Sequence, residues 1–257
     1  MTVLRYLVPL LFGLAAVALW EFLVRYHAVP VFVLPGPLAI VTALANNFGG
    51  LMLALGRTME ITLSAFAIAL VSGVLLAILF TRARWVELAL APYVVTLQVT
   101  PVIAIAPLIL IWVGFDNTAT ALVIIATIVA FFPILSNTIL GIRSVDPNLR
   151  DLFRLYQAPW WQVLWRLELP TALPAILSGA KISGGLALIG AVVAEFVAGS
   201  GTSTGLAWRI IESGNRLQID VMFAALILLS LAGVSLFYTL SFIGWLYLRR
   251  WHSSEKE

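Results

Sequence analysis

Ionisable residues inside or beside apolar stretches are the first places to look for chemistry in this chain. A charge at the centre of a bilayer costs at least about 2.5 kcal/mol and is rarely found there without a task. Four residues qualify: Glu21, Glu60, Lys181 and Glu195. Carboxylates near a membrane midplane would suit a proton or sodium relay. All four instead lie nearer the end of an apolar stretch than its middle, where a side chain can snorkel to water. The sequence therefore gives them structural roles and speaks against an ion-coupled carrier. Enzymatic chemistry finds no residues either. The lysines are Lys181 and Lys256, neither in a G-x-x-x-x-G-K-[ST] phosphate loop, and no H-E-x-x-H or G-x-S-x-G pattern occurs. The Gly-rich run from Gly199 to Gly205 has no strand before it and reads as a loop. There is no Cys, and His27 and His252 sit near opposite ends of the chain, so no metal site is expected. No basic run suggests nucleic acid.

The most informative stretch runs from Asn148 to Pro174, NLRDLFRLYQAPWWQVLWRLELPTALP. It is too polar to cross a bilayer, yet it is rich in large apolar side chains. Leu149, Leu152, Phe153 and Tyr156 fall on one helical face, Ala158-Pro159 interrupts the helix, and a second short helix is expected from Trp160 to Glu168. Pro170 and Pro174 mark the start of the next apolar stretch. Two short helices joined by a turn suit insertion into a groove on a partner. The alternative is an interfacial hairpin anchored in the headgroups by Trp160, Trp161 and Trp165.

The elements that position these residues follow from composition. Of 257 residues, 62% are hydrophobic and 11% charged, against roughly 45–50% and about 25% in a soluble domain, which excludes an ordinary soluble protein. Six apolar stretches, at about 6–24, 59–80, 88–113, 118–141, 172–198 and 219–248, are each long enough to cross the hydrocarbon as a helix. The expected fold is all-α, a polytopic membrane unit occupying the whole chain with a loop at about 148–170. Ala16-Val17-Ala18 imitates a signal-peptide cleavage site, but the apolar run continues into Trp20 and Phe22, so it reads as an uncleaved span. With the N-terminus in the cytoplasm, Arg5, Arg82, Arg84, Arg143, Arg150, Arg154, Arg166, Arg249, Arg250 and Lys256 fall inside. Arg25, Arg57, Arg209 and Arg216 fall outside, which satisfies the positive-inside rule and puts both termini in the cytoplasm. Trp245, Tyr247 and Trp251 look like a closing aromatic belt. Between the first two spans, Pro35-Gly36-Pro37 precedes a short outer helix with Leu38, Val41, Leu44 and Phe48 on its apolar face. That helix either lies on the bilayer interface or meets a partner.

Candidates for a solute pathway lie in three spans. The third carries Gln98 and Thr100 among Pro92, Pro101 and Pro107, so its backbone should be irregular and face protein or a cavity. Interhelical hydrogen bonding is the other reading of the two polar residues. Phe131 and Phe132 beside Pro133 in the fourth span would suit a flat aromatic solute or plain packing. In the fifth span, Gly179/Ser183 and Ala180/Gly184 are small pairs four apart, which lets helices approach closely. That stripe is either a sliding dimer or pore seam, with Ser183 on the pathway, or static packing.

The loop resembles the cytoplasmic EAA loop of permease subunits in binding-protein-dependent ABC importers. That pattern is E-A-A, three residues, G, nine residues, then I-x-L-P. Here Asp151 stands for the Glu, Leu152 and Phe153 for the two Ala, and Gln157 for the Gly, while Leu167-Glu168-Leu169-Pro170 matches the ending at the same spacing. Ser144-Val145-Asp146-Pro147 before the loop and Gly190-Ala191-Val192-Val193-Ala194-Glu195-Phe196 fit as well, and the resemblance covers about residues 30 to 250. It is similar to permeases for nitrate, sulfonate and taurine and to relatives importing riboflavin or thiamine-precursor pyrimidines. The resemblance implies a homodimer in a prokaryotic cytoplasmic membrane, a separate ATPase chain that holds ATP and Mg, and an extracytoplasmic solute-binding protein. It implies that Asp151, Arg154, Tyr156, Gln157, Ala158, Pro159, Trp160 and Trp161 couple to the ATPase, and that this chain has no cofactor of its own. The substrate expectation is a planar, nitrogen-containing aromatic, with a sulfonate, taurine or nitrate as the alternative. A secondary carrier is the more distant one.

Overall fold

The computed structural model describes residues 2–199 and 205–249, with side chains from Leu7 onward. The side chain of Arg5, most of the Gly-rich run, and Arg250, Trp251, His252 and Lys256 lie outside the described residues. The described residues form helices and connecting turns with no strand, as lipid requires when each backbone N–H must be satisfied within its own segment. In chain order they are α1 (Thr2–Tyr26), α2 (Pro37–Asn46), α3 (Phe48–Arg82), α4 (Arg84–Val99), α5 (Val102–Val113), α6 (Thr118–Arg143), α7 (Pro147–Leu155), α8 (Trp160–Val163), α9 (Leu169–Ala198), α10 (Leu206–Asn215) and α11 (Ile219–Leu248). The chain divides into two compact units, one of residues 1–57 and 204–231 and one of residues 58–203 and 232–257.

The first unit holds α1, α2, α10 and the leading parts of α3 and α11. Its core gathers Ile40, Leu51, Ala54, Leu206, Ile210, Ala224, Ala225 and Leu228, with Trp20 and Leu44 against it. Glu21 is fixed here rather than snorkelling alone. It accepts from Arg25 Nε at 2.5 Å and from the Leu38 N–H at 3.1 Å, so it caps the start of α2 from another helix. Gly36 explains the Pro-Gly-Pro sequence, because a Cβ there would stand 2.7 Å from Glu21 Oε2. Leu38 and Val41, on the face expected to meet the bilayer or a partner, are exposed, while Ile40 and Ala43 are buried and Leu44 packs on the core.

The second unit is organised by antiparallel α6 and α9. Gly141 meets Ala172, Gly179 meets Pro133 and Asn137, Gly190 meets Ala126, and Ser183 Oγ donates to the Ala130 carbonyl at 2.6 Å. A Cβ on Gly141 or Gly190 would fall 2.8 Å from a backbone Cα of the facing helix, so the small residues are what allow this approach. The opposite side of α9 meets the second part of α11, with Gly184 against Leu240 and Gly233 against Leu188. Both small-residue stripes are thus used in packing within the chain.

Among the described residues, five helices or continuous helical runs are long and apolar enough to cross a membrane, and α4 and α5 form a pair bent by 105°. The irregular backbone expected within residues 88–113 is a full break at Thr100-Pro101. Thr100 takes the extended conformation (φ −70°, ψ 126°) that a residue before proline favours, and Pro101 cannot donate to the Leu97 carbonyl. Glu87 near the start of α4 is ion-paired to Arg143 at the end of α6. Ile109 and Leu110 of α5 pack with Ala121, Leu122 and Ile125 at the start of α6. The two ends of the broken segment thus meet the two ends of α6, and the bent pair counts as a sixth span when its halves are taken together.

Candidate functional site

The loop between α6 and α9 begins with a strong helix start. Asp146 accepts from the Asn148 N–H at 2.8 Å, and Pro147 occupies the first turn of α7. The helix ends just as definitely. Gln157 is left-handed at φ 51°, the Ala158 N–H reaches the Phe153 carbonyl at 3.0 Å, and the Gln157 N–H reaches Arg154 at 2.9 Å. These two bonds make a Schellman cap. Gln157 therefore takes the conformation for which glycine is the unstrained residue, at the position where the EAA pattern has its glycine. Pro159 then prevents continuation.

The second short helix is corrected. Trp160–Val163 runs through a wide turn over Leu164–Glu168 directly into α9, where the Leu169 N–H bonds back five residues to the Leu164 carbonyl. Pro170 has no N–H for the Arg166 carbonyl, and the widened turn admits its ring without ending the helix. The loop is thus one separate helix, α7, joined through the turn at Gln157 to the foot of a long rod.

Several of its large apolar side chains are left uncovered by the described residues. Leu155 is 81% exposed, Tyr156 79% and Trp160 63%, and Trp161 is also exposed. Asp151 and Arg154 pair at 3.3 Å with both side chains largely in solvent. All eight residues expected to couple are brought together on α7, its turn and the start of α8.

What holds the loop was missed. Glu168, only 4% exposed, accepts from Arg82 at the end of α3 and lies 3.5 Å from Arg150 of α7. Arg150 also donates to the Ile142 carbonyl at 3.2 Å. One buried carboxylate therefore ties α7, α3 and the foot of α9 together, and Arg150 extends the tie to the end of α6. The only sequence signal was an acid inside the apolar Leu167–Pro170 ending, where a charge needs partners.

The pathway candidates are not brought to one site. Gln98 is exposed at the end of α4, Phe131 packs with Ile134 and Leu135, Phe132 is half-buried, and Ser183 is fully buried in the α6–α9 contact. Thr100 lies in a cavity of about 540 Å³ at the bend, walled by Tyr93, Trp112 and aliphatic residues. The Thr96 and Thr100 hydroxyls are spent on carbonyls of their own helix. Glu195 also departs from expectation. It does not snorkel but is fully buried and accepts from Thr58 Oγ1 at 2.7 Å, because α9 buries it inside the bundle.

Apolar helices of membrane-crossing length, with the amphipathic α7 exposed between α6 and α9, define a multi-pass membrane protein. The match is specific: the family described as "binding-protein-dependent transport system inner membrane component" covers residues 69–244, and the chain belongs to it. It is similar to the riboflavin transport system permease protein of Chloroflexus aurantiacus, with 34% identity over 91% of this chain and 86% of that one. It is also similar to the putative aliphatic sulfonates transport permease protein of Bacillus subtilis, with 32% identity over 87% and 80%. A chain from the crystal structure of an amino acid ABC transporter with histidines shares the fold, with a TM-score of 0.64 and 18% identity over 81% of this chain and 97% of that one. The protein is a multi-pass permease subunit of the ABC importer class.

Proposed function

We propose that two copies of this chain form the pathway, that separate ATPase chains carrying ATP and Mg engage α7 and its turn, and that an extracytoplasmic binding protein delivers solute at the opposite end. The assembly sits in a prokaryotic cytoplasmic membrane with the loop and both termini inside. The observation that carries this reading is an amphipathic helix left uncovered at the loop end of the second unit while its root is locked by Glu168. A surface so exposed and so firmly attached suits the transmission of a push. By this reading, closure of the ATPases moves α7 and tilts α3, α6 and α9 through the ion pairs. Reconstitution with the cognate ATPase and binding protein tests it: solute uptake should require ATP, and uptake driven by an ion gradient alone would overturn it.

The solute proposed is a planar, nitrogen-containing aromatic such as a vitamin or pyrimidine precursor. The largely aliphatic cavity at the α4–α5 bend, with Tyr93 and Trp112 in its wall and of a size usual for small-molecule sites, supports it, as does the riboflavin-transporting relative. Gln98 and Thr100 at the break are the pathway residues this proposal retains. A sulfonate is the second reading, favoured by a relative of almost equal identity. Calorimetry on the binding protein separates them: tight binding of a sulfonate with none of riboflavin or pyrimidines would reject the aromatic solute and leave the permease assignment standing.

A further inference from the structure

The end of the second unit that carries the loop also contains a cavity of about 810 Å³, bounded by the ends of α3 and α6, the first turns of α4, α7 and the foot of α9. Five arginines and two glutamates line it, which leaves three positive charges. Glu168 engages Arg82 and Arg150, and Glu87 engages Arg143. Arg154 has its partner in Asp151, outside the lining. Arg84 makes no ion pair with the described residues, and the buried Nε of Arg150 has no hydrogen-bond partner among them. The start of α4 adds to the field. Its N-cap is Ala83, which offers no side-chain acceptor, so the positive end of the helix lies at the rim beside Arg84.

The remaining wall is apolar, formed by residues such as Phe80, Leu88, Ala91 and Val163. It continues onto the outside of α4, where Leu88 is 69% and Trp85 74% exposed. A tryptophan beside an unpaired arginine at the end of a membrane helix marks headgroup depth.

We propose that this cavity binds a phosphate-bearing anion, and that the phosphate is the headgroup of an anionic phospholipid from the leaflet on the loop side. The excess of arginine calls for an anion, and guanidinium groups suit phosphate oxygens. The apolar wall opening toward lipid favours a tethered phosphate over a free one. Basic pockets between membrane helices at the leaflet surface recognise lipid headgroups by this combination. A headgroup here bridges α3, α4, α6 and α7, the elements that root the loop, so lipid composition would govern how firmly α7 is held. The inference goes beyond the proposed function and rests on membrane embedding alone, not on the solute or the ATPase.

The test uses the purified full chain in phosphatidylcholine nanodiscs with and without phosphatidylglycerol, read by thermal unfolding and by native mass spectrometry of retained lipid. Phosphatidylglycerol should raise the midpoint by about 3 °C or more. Arg84→Gln should lose at least half of that shift and of the retained lipid, and Arg216→Gln, in the other unit, should keep both. Arg84→Lys, which retains the charge, should recover the response even if Arg84→Gln proves less stable. Millimolar inorganic phosphate should not substitute. If it reproduces the whole shift in an Arg84-dependent way, the anion site stands and the lipid assignment is overturned. No stabilisation by phosphatidylglycerol, or an unchanged response in Arg84→Gln, overturns the proposal. So does an equal shift on adding the cognate ATPase without anionic lipid that also abolishes the lipid effect, because the cavity would then belong to a protein contact. Failure of ATP-driven uptake, by contrast, would leave these binding results untouched.

Discussion

Arg82, the last residue of α3, and Glu168, at the foot of α9, form an ion pair across 86 positions of sequence. The carboxylate is buried and also faces Arg150, so its removal would strand two partly buried guanidinium groups. Glu168→Ala should destabilise the chain by about 2 kcal/mol or more. Glu168→Gln, which still accepts one hydrogen bond, should lose less. Thermal unfolding in detergent gives the order, and equal midpoints for wild type and Glu168→Ala would rule out the tie.

Gln157 carries the backbone strain of the loop. A side chain in the left-handed region costs roughly 1–2 kcal/mol, so Gln157→Gly should stabilise by about 1 kcal/mol. Gln157→Val, β-branched at positive φ, should destabilise. Unfolding midpoints that move together in both variants would contradict the cap described for α7.

The α6–α9 contact predicts a contrast between two glycines of one helix. A Cβ on Gly190 would be 2.8 Å from Ala126 Cα, whereas one on Gly185 meets nothing within 4 Å. Gly190→Ala should therefore cost about 1–3 kcal/mol. Gly185→Ala should be neutral or stabilise by up to about 1 kcal/mol. Thermal stability of the two variants, measured side by side, checks the pairing.

The exposed loop surface predicts a separation of folding from coupling. Trp160 and Tyr156 contribute little to burial within the chain, so Trp160→Glu and Tyr156→Glu should fold normally. Burying an unpaired charge in a partner groove is unfavourable, so both should abolish binding of the ATPase. Co-purification and solute-stimulated ATP hydrolysis are the readouts, and full activity in both variants would remove the loop from the contact.

The absence of cysteine makes sidedness measurable. A single Cys at position 160 should react with an impermeant reagent in inside-out vesicles and not in intact cells. Reaction from outside intact cells would invert the proposed topology.

The apolar spans were legible because their signal is local. Eighteen or more apolar residues in a row have one stable form in lipid, and the last span, expected at 219–248, is helix Ile219–Leu248. The start of α7 was legible for the same reason, since Asp146-Pro147 is a helix start in itself. The face of α2 was legible in part: Leu38 and Val41 stay uncovered, but Leu44 turns to the core, because periodicity cannot tell a core side from a lipid side when both are apolar. That ambiguity also left the stripe on α9 open between a dimer seam and internal packing.

By itself, the sequence determined the class of solvent, the positions of the spans and the frame of the loop, all of which depend on runs of residue types along the chain. Only the tertiary structure decided the partners of buried charges. Glu168 reads as one acid in an apolar ending until Arg82 and Arg150 arrive from helices far away in sequence. Glu195 reads as a snorkelling side chain until α3 places Thr58 against it. The bend at Thr100-Pro101 is local chemistry, but Glu87 meeting Arg143 at the end of α6 is a contact between distant parts of the chain. The physical reason is the same in each case: hydrophobicity acts residue by residue, whereas a buried charge is stable only where a distant partner meets it.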